Sequence, residues 1–241
     1  PYVLLTFCAF FWAGSSVVGR HVAGEVPPMA LNFSRWLFAF IVVLTWTWKE
    51  IFTHRALLRR KWKFFSFLAI SAPVGFGALH FLGLQFTGAI NGALLQGLMP
   101  ICILVTAFIV LGDRFGLREG LGVVLGFVGI ACIVARGTVD TLLAMSLNLG
   151  DILLLLATMS WSLYAVYLRR APSVLSASAL MTVLFAFATL YMVPLVLIEA
   201  YVFNLYMPIN FDAVWAISFM TIGPSVLAQI FWTYAVSRVG P

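Results

Sequence analysis

Charge is what this 241-residue sequence has least of: Asp, Glu, Lys and Arg together make 9% of it, against 63% hydrophobic residues. A soluble domain carries about a quarter charged residues, so no water-soluble core accounts for this much apolar surface, and the excess must face lipid. Cysteine is scarce as well. Cys8, Cys102 and Cys132 all fall in apolar runs without CxxC or metal-like spacing, which excludes disulfide and zinc frameworks and leaves packing roles. There is no HExxH, no pair of aspartates in adjacent apolar runs and no Ser-His constellation. Ser160 lacks an evident base, and His21 and His54 lie in connectors. An intramembrane enzyme is therefore disfavoured, and neither cofactor nor metal is expected. Gly120-Leu-Gly122 has no preceding strand and no polar mouth, so it does not read as a dinucleotide site. The net charge of +6 sits between apolar runs, where it sets membrane topology rather than binding nucleic acid.

What is present is a series of long apolar runs. Leu79 to Glu119 shows the pattern: an apolar run, Thr87-Gly88 as a hinge, a second apolar run, then a charged Gly-Asp-Arg stop. Two membrane helices joined by an almost absent loop fit this better than any soluble fold. Windows of about 19 residues pick out eight spans: Tyr2 to Gly19, Ala30 to Trp48, Phe64 to Phe86, Ala89 to Leu111, Gly120 to Ala135, Asp151 to Leu168, Val174 to Ile198 and Ala213 to Val236. Connectors are short except for Lys49 to Lys63 and Ala200 to Asp212. With the N-terminus inside, one side collects Lys49, Arg55, Arg59, Arg60, Lys61, Lys63, Arg114, Arg118, Arg169, Arg170 and Arg238, and the other keeps Arg20 and Arg136. That bias puts the N-terminus in the cytoplasm. The Arg55 to Lys63 cluster reads as a solvated loop held by anionic lipid head groups.

The chain also repeats itself. Trp12-Ala-Gly-Ser-Ser-Val-Val, Leu37-Phe-Ala-Phe and Phe81-Leu-Gly-Leu-Gln-Phe-Thr find collinear counterparts in Trp161-Ser-Leu-Tyr-Ala-Val-Tyr, Leu184-Phe-Ala-Phe and Phe231-Trp-Thr-Tyr-Ala-Val-Ser, displaced by about 150 residues. An odd number of spans per period turns the second copy upside down, the arrangement of transporters with alternating access. The expected fold is all-α, a polytopic membrane helix bundle of inverted five-helix repeats. The first repeat covers residues 1–137 and the second residues 148–241, stopping after its third span, so that ten spans are expected in the working protein.

These residues resemble the drug/metabolite transporter superfamily, and within it the EamA type of bacterial amino-acid and metabolite exporters. The likeness is carried by Trp12-Ala-Gly-Ser-Ser with Arg20 and Pro28, by Arg35, by Gly83 through Pro100, by Leu111-Gly112-Asp113-Arg114 and by Gly122 to Gly137. Asp113 stands where the family usually has Glu, and the final pair of helices is missing. The resemblance implies a secondary carrier in the bacterial inner membrane, exporting amino acids or related compounds. Broad-specificity drug efflux is the alternative, with a channel or an enzyme as rivals of another class.

Polar groups inside spans are expensive and mark function. His80 and Gln96 lie equally far from Gly88, both about 12 Å below the turn at 1.5 Å per residue. Arg35 reaches a similar depth, with Asn32 on its helix face. These four are expected to line one half of a central cavity. A direct His80–Gln96 hydrogen bond and a snorkelling Arg35 are the competing structural readings. Trp12 and Trp161 hold equivalent places in the two repeats, as walls for a flat solute or as plain packing. Tyr164, one turn from Trp161, and Gln229, toward the other side, complete the substrate-binding set. Pro73, Pro100, Pro194 and Pro224 read as kinks, and Gly122 with Gly126 as a close-packing pair. The expected partners are a small-molecule solute, membrane lipids and, through His80, protons. No nucleic acid is expected, and the chain is a monomer or homodimer.

Overall fold

The computed structural model describes residues 2–88, 92, 95–112, 116–135 and 148–232. Asp113, Arg114, Arg136, Gly137 and Arg238, which enter the topology and family readings, lie outside the described residues. So do the counterparts proposed for the repeat beyond Trp232. The described residues contain helices and connectors and no strand. In chain order the helices are α1 (Tyr2–His21), α2 (Pro28–Thr53), α3 (Arg55–Arg60), α4 (Trp62–Ala69), α5 (Gly77–Phe86), α6 (Met99–Leu111), α7 (Leu117–Ala135), α8 (Leu149–Leu168), α9 (Ala177–Tyr201) and α10 (Phe211–Met220). A π-helical segment, Ile70–Phe76, joins α4 to α5, and a second, Thr221–Leu227, follows α10.

Among the described residues six helical stretches are long and apolar enough to cross a bilayer: Tyr2–His21, Pro28–Thr53, Trp62–Phe86, Leu149–Leu168, Ala177–Tyr201 and Phe211–Trp232. Of the other two expected spans, Ala89 to Leu111 overlaps the 13-residue α6, which is too short to be counted with these six, with residues 89–91, 93 and 94 outside the described set. Gly120 to Ala135 falls within the 19-residue α7. One connector is corrected. Lys49 to Lys63 is not a loop but the end of α2, all of α3 and the start of α4, because it contains neither Gly nor Pro and is rich in Lys, Arg, Leu and Glu, all good helix formers. Pro100 is corrected too. It occupies the first turn of α6, where a missing N–H costs nothing, and kinks no span.

The antiparallel pair α2 and α9 forms the spine. At one end Glu199 of α9 caps α2, its carboxylate accepting from Met29 N–H at 3.0 Å and Ala30 N–H at 2.8 Å. At the other end Glu50 of α2 accepts from the backbone N–H and the hydroxyl of Ser176, at 2.6 and 2.7 Å, ahead of α9. Each helix thus places a carboxylate where its partner leaves N–H groups unpaired and the dipole is positive. Between the caps, Trp36 stacks on Phe185 with ring centroids 4.8 Å apart, and Ala39, Val43, Ala188 and Met192 fill the seam with Val74 and Val226 from the two π-helical segments.

The remaining helices pack around this spine. At the Pro28 end, Arg20 donates to the carbonyls of Leu84 and Gln85 and Thr87 to Asp151, while Asp151 forms a capping box with Asn148. Val18, Val22, Val26, Leu31, Phe81, Leu84 and Met220 seal that end as one apolar cluster. Gly83 and Gly150 let α5 and α8 touch, since a Cβ on Gly150 would stand 2.6 Å from the carbonyl oxygen of Gly83. Cations gather at the opposite end, several over aromatic rings: Arg55 on Phe52, Lys63 on Trp62 and Arg170 on Tyr167. Outward faces carry Ile41, Val42, Trp46, Leu190, Val193 and Leu197, the surface a helix presents to acyl chains.

Candidate functional site

The site grows out of two prolines. A proline inside a helix cannot donate to the carbonyl four residues back, and here the backbone answers by widening to π geometry at Pro73 and at Pro224. Such segments free carbonyls that other groups must satisfy. In the first, the Pro73 carbonyl accepts from Asn32 Nδ2 at 3.1 Å and Trp36 Nε1 at 2.9 Å, and the Ser71 carbonyl accepts from the Ser160 hydroxyl at 2.6 Å. In the second, the Ser225 hydroxyl donates to the Met220 carbonyl at 2.8 Å and itself accepts from Arg35 Nε at 3.0 Å. Asn32, Arg35 and Trp36 are consecutive turns of one α2 face, so a single helix touches both segments.

Arg35 is 8% exposed and has no ion-pair partner among the described residues. Its guanidinium carbon lies 4.2 Å from the Trp36 ring centre and 5.5 Å from that of Phe81, the geometry of cation–π attraction. His80, on α5, packs its ring against Phe81. The direct His80–Gln96 contact of the competing structural reading is replaced by a bridge. Ser16 of α1 takes a hydrogen bond from Gln96 Nε2 at 3.1 Å and lies 3.3 Å from His80 Nε2. The two groups are level, as their equal distance from the hinge requires, but a third helix stands between them. His80 Nδ1, Asn32 Oδ1 and Thr221 Oγ1 are buried without a hydrogen-bond partner among the described residues.

From His80 a row of rings leads outward. Phe76 stacks on His80 at 5.2 Å with planes 9° apart, Trp161 meets Phe76 at 5.1 Å, Trp12 meets Trp161 at 6.4 Å, and Trp232 meets Trp12 at 5.5 Å. The row runs from a buried imidazole, through half-buried Trp12 and Trp161, to Trp232, which is 40% exposed. Tyr164 backs Trp161 at 5.1 Å from within an apolar core cluster. Gln229 is half-buried one turn before Trp232. The structure thus joins His80 to Gln96 through Ser16, places Asn32 and Arg35 beside each other on α2, and lays Trp12 against Trp161.

Ser16, Trp36, Phe76, Ser225 and Trp232 were not singled out as site residues by the sequence. Only Ser16 and Ser225 left a trace there, as hydroxyls inside apolar runs. The buried acidic residues among those described are occupied: the carboxylates of Asp151 and Glu199 accept from backbone N–H groups at helix starts. Among the described residues no group of three or more His, Cys, Asp or Glu side chains could hold a metal ion.

Comparison with known proteins agrees with this architecture. The profile of the EamA-like transporter family matches residues 1–135 and 148–241. An uncharacterized transporter of Bacillus subtilis (strain 168), YyaM, is 28% identical over 99% of this chain and 78% of its own length. An uncharacterized transporter of Archaeoglobus fulgidus is 27% identical over 98% of this chain and 80% of its own. One solved crystal structure, 18% identical in sequence, superposes with a TM-score of 0.67 over 98% of this chain and 78% of that one. A multi-pass helical membrane protein with these relatives and this match belongs to the EamA-like transporter family.

Proposed function

We propose that the protein is a secondary carrier that exports amino acids or related small metabolites by alternating access, with its N-terminus on the cytoplasmic side of a bacterial inner membrane. The observation that carries this reading is the polar centre: Arg35 and His80, buried between two proline-widened segments, with a row of aromatic rings leading away. Buried polar groups on that scale are costly in lipid and are kept where a solute passes. The eight-span count and the inverted repeat belong to the same reading. Pro73 and Pro224, like Glu50 and Glu199, lie about 150 positions apart, the displacement of the repeat. Equivalent helices of copies related by an axis in the membrane plane run antiparallel, as α2 and α9 do. The cation-rich Thr53 end of the bundle then faces the cytoplasm. His80 is an embedded imidazole that can carry a proton, and it supplies the route for proton coupling in this reading.

The experiment is uptake and counterflow in liposomes against a panel of amino acids and metabolites. A carrier saturates and is accelerated by solute on the far side, and replacing Gln96 and Trp161 together by Ala depresses both properties. Unaltered kinetics in that double variant would remove the site. The His80→Gln variant is expected to lose its dependence on a pH gradient, and persistence of that dependence would assign coupling to another group. The length of the aromatic row also favours a second reading, efflux of flat hydrophobic drugs, which predicts uptake of aromatic dyes instead of amino acids.

A further inference from the structure

We infer that the solute is a carboxylate without an ammonium group, a net anion on an apolar or aromatic body, and that Arg35 is the residue that pairs with it. This rests on the carrier reading and, within it, moves the solute from amino acids themselves to related carboxylates that lack the ammonium group. Among the described residues the guanidinium makes one hydrogen bond, from Nε to Ser225. The N–H groups on Nη1 and Nη2 have no described partner, yet they form the planar fork that matches a carboxylate. A cation so deep between apolar helices requires a counter-charge, and the Trp36 and Phe81 rings supply only a quadrupole.

Among the described residues the buried carboxylates, Asp151 and Glu199, are already engaged, and Glu25 and Asp212 are exposed at the surface. Glu199 and Asp151 are held at helix starts, and Glu50 is bound to Ser176. The same fact rejects other solutes. A cation would meet Arg35 with nothing to offset the repulsion, and a zwitterion would satisfy Arg35 while burying an ammonium that no carboxylate faces. The unpaired groups nearby suit a neutral remainder: the Thr221 hydroxyl can donate, His80 Nδ1 can donate or accept according to tautomer, and Asn32 Oδ1 accepts from a hydroxyl or amide without bringing a charge. Next to them the His80–Phe76–Trp161 row offers stacking surface for an apolar body.

A matched series tests the inference: 3-phenylpropanoate, L-phenylalanine and phenethylamine, which share a ring and differ in charged groups. Binding is read by intrinsic tryptophan fluorescence of the purified protein and transport by counterflow in liposomes. The expected order is acid, then zwitterion, then amine, with steps of about tenfold in affinity. Arg35→Gln is expected to bring the three within a few-fold of one another, and Arg35→Lys to keep the order with weaker binding. Equal or tighter binding of the zwitterion or the amine by the wild-type protein overturns the inference, as does an unchanged order in Arg35→Gln. The wild-type order stands as a test if that variant fails to fold, and in that event Ser225→Ala, which releases Nε, is expected to shrink the preference. Counterflow of the amine or zwitterion alone would sink the inference and leave the carrier reading intact, whereas no counterflow of any solute in the series or the panel would sink both.

Discussion

Two proline-widened segments stand about 150 residues apart in the sequence and both bond to one face of α2, yet they are held in opposite ways. The carbonyls of the first are taken by neutral donors from two neighbouring helices, Asn32 and Trp36 of α2 and Ser160 of α8. The second answers its own freed carbonyl through Ser225, and its visitor from α2 is a charge, Arg35. The first is thus a clamp, whose hydrogen bonds are stability. The second carries a buried charge whose remaining N–H groups have no described partner, which is where a solute can make a difference between two conformations.

This contrast can be broken from either side. The largest effect is expected for Arg35→Leu: counterflow falls about 100-fold or more, equivalent to about 2.7 kcal/mol of lost stabilisation, while the melting temperature in detergent holds or rises because an unpaired buried charge has been removed. Loss of folding together with activity would make Arg35 a structural pin instead. At the first segment the expected signature is the reverse. Gly77→Ala places a Cβ 2.5 Å from Asn32 Oδ1, and overpacking of that kind costs about 1–3 kcal/mol, to be read as lowered thermal stability. Trp36→Phe removes one of two donors to the Pro73 carbonyl, at a cost of about 1 kcal/mol, again in stability. Ser225→Ala is comparable in stability, about 0.5–1.5 kcal/mol, and it sharpens the comparison because its effect on exchange rate should exceed that of Trp36→Phe. If the two variants slow exchange equally, the segments do not differ in the way described.

The spans were legible because apolar runs long enough to cross a bilayer are rare in any other setting, and His80, Gln96 and Arg35 stood out as polar letters within them. The connector from Lys49 to Lys63 misled because charge marks the end of a membrane span but not the end of a helix, so α2 continues into the cation-rich face. Ser16 was illegible for a different reason. A serine in an apolar helix ordinarily returns its hydroxyl to a carbonyl of its own helix, as Ser71 does with Phe67, and nothing local says that Ser16 instead meets residues 64 and 80 positions away. Pro73 and Pro224 announced a break, but kink and π-helical widening differ only in which neighbours can take up the freed carbonyls. For Pro73 those neighbours are Asn32, Trp36 and Ser160, on two other helices.

The most direct test of the account is a pair of distances measured by electron spin resonance on labelled protein in lipid: Glu25 to Leu149 at the sealed end, and Tyr2 to Arg170 at the cation-rich end. An alternating carrier predicts that saturating solute shifts the two in opposite senses, one closing as the other opens. Two distances that stay fixed, or that change together, would contradict it.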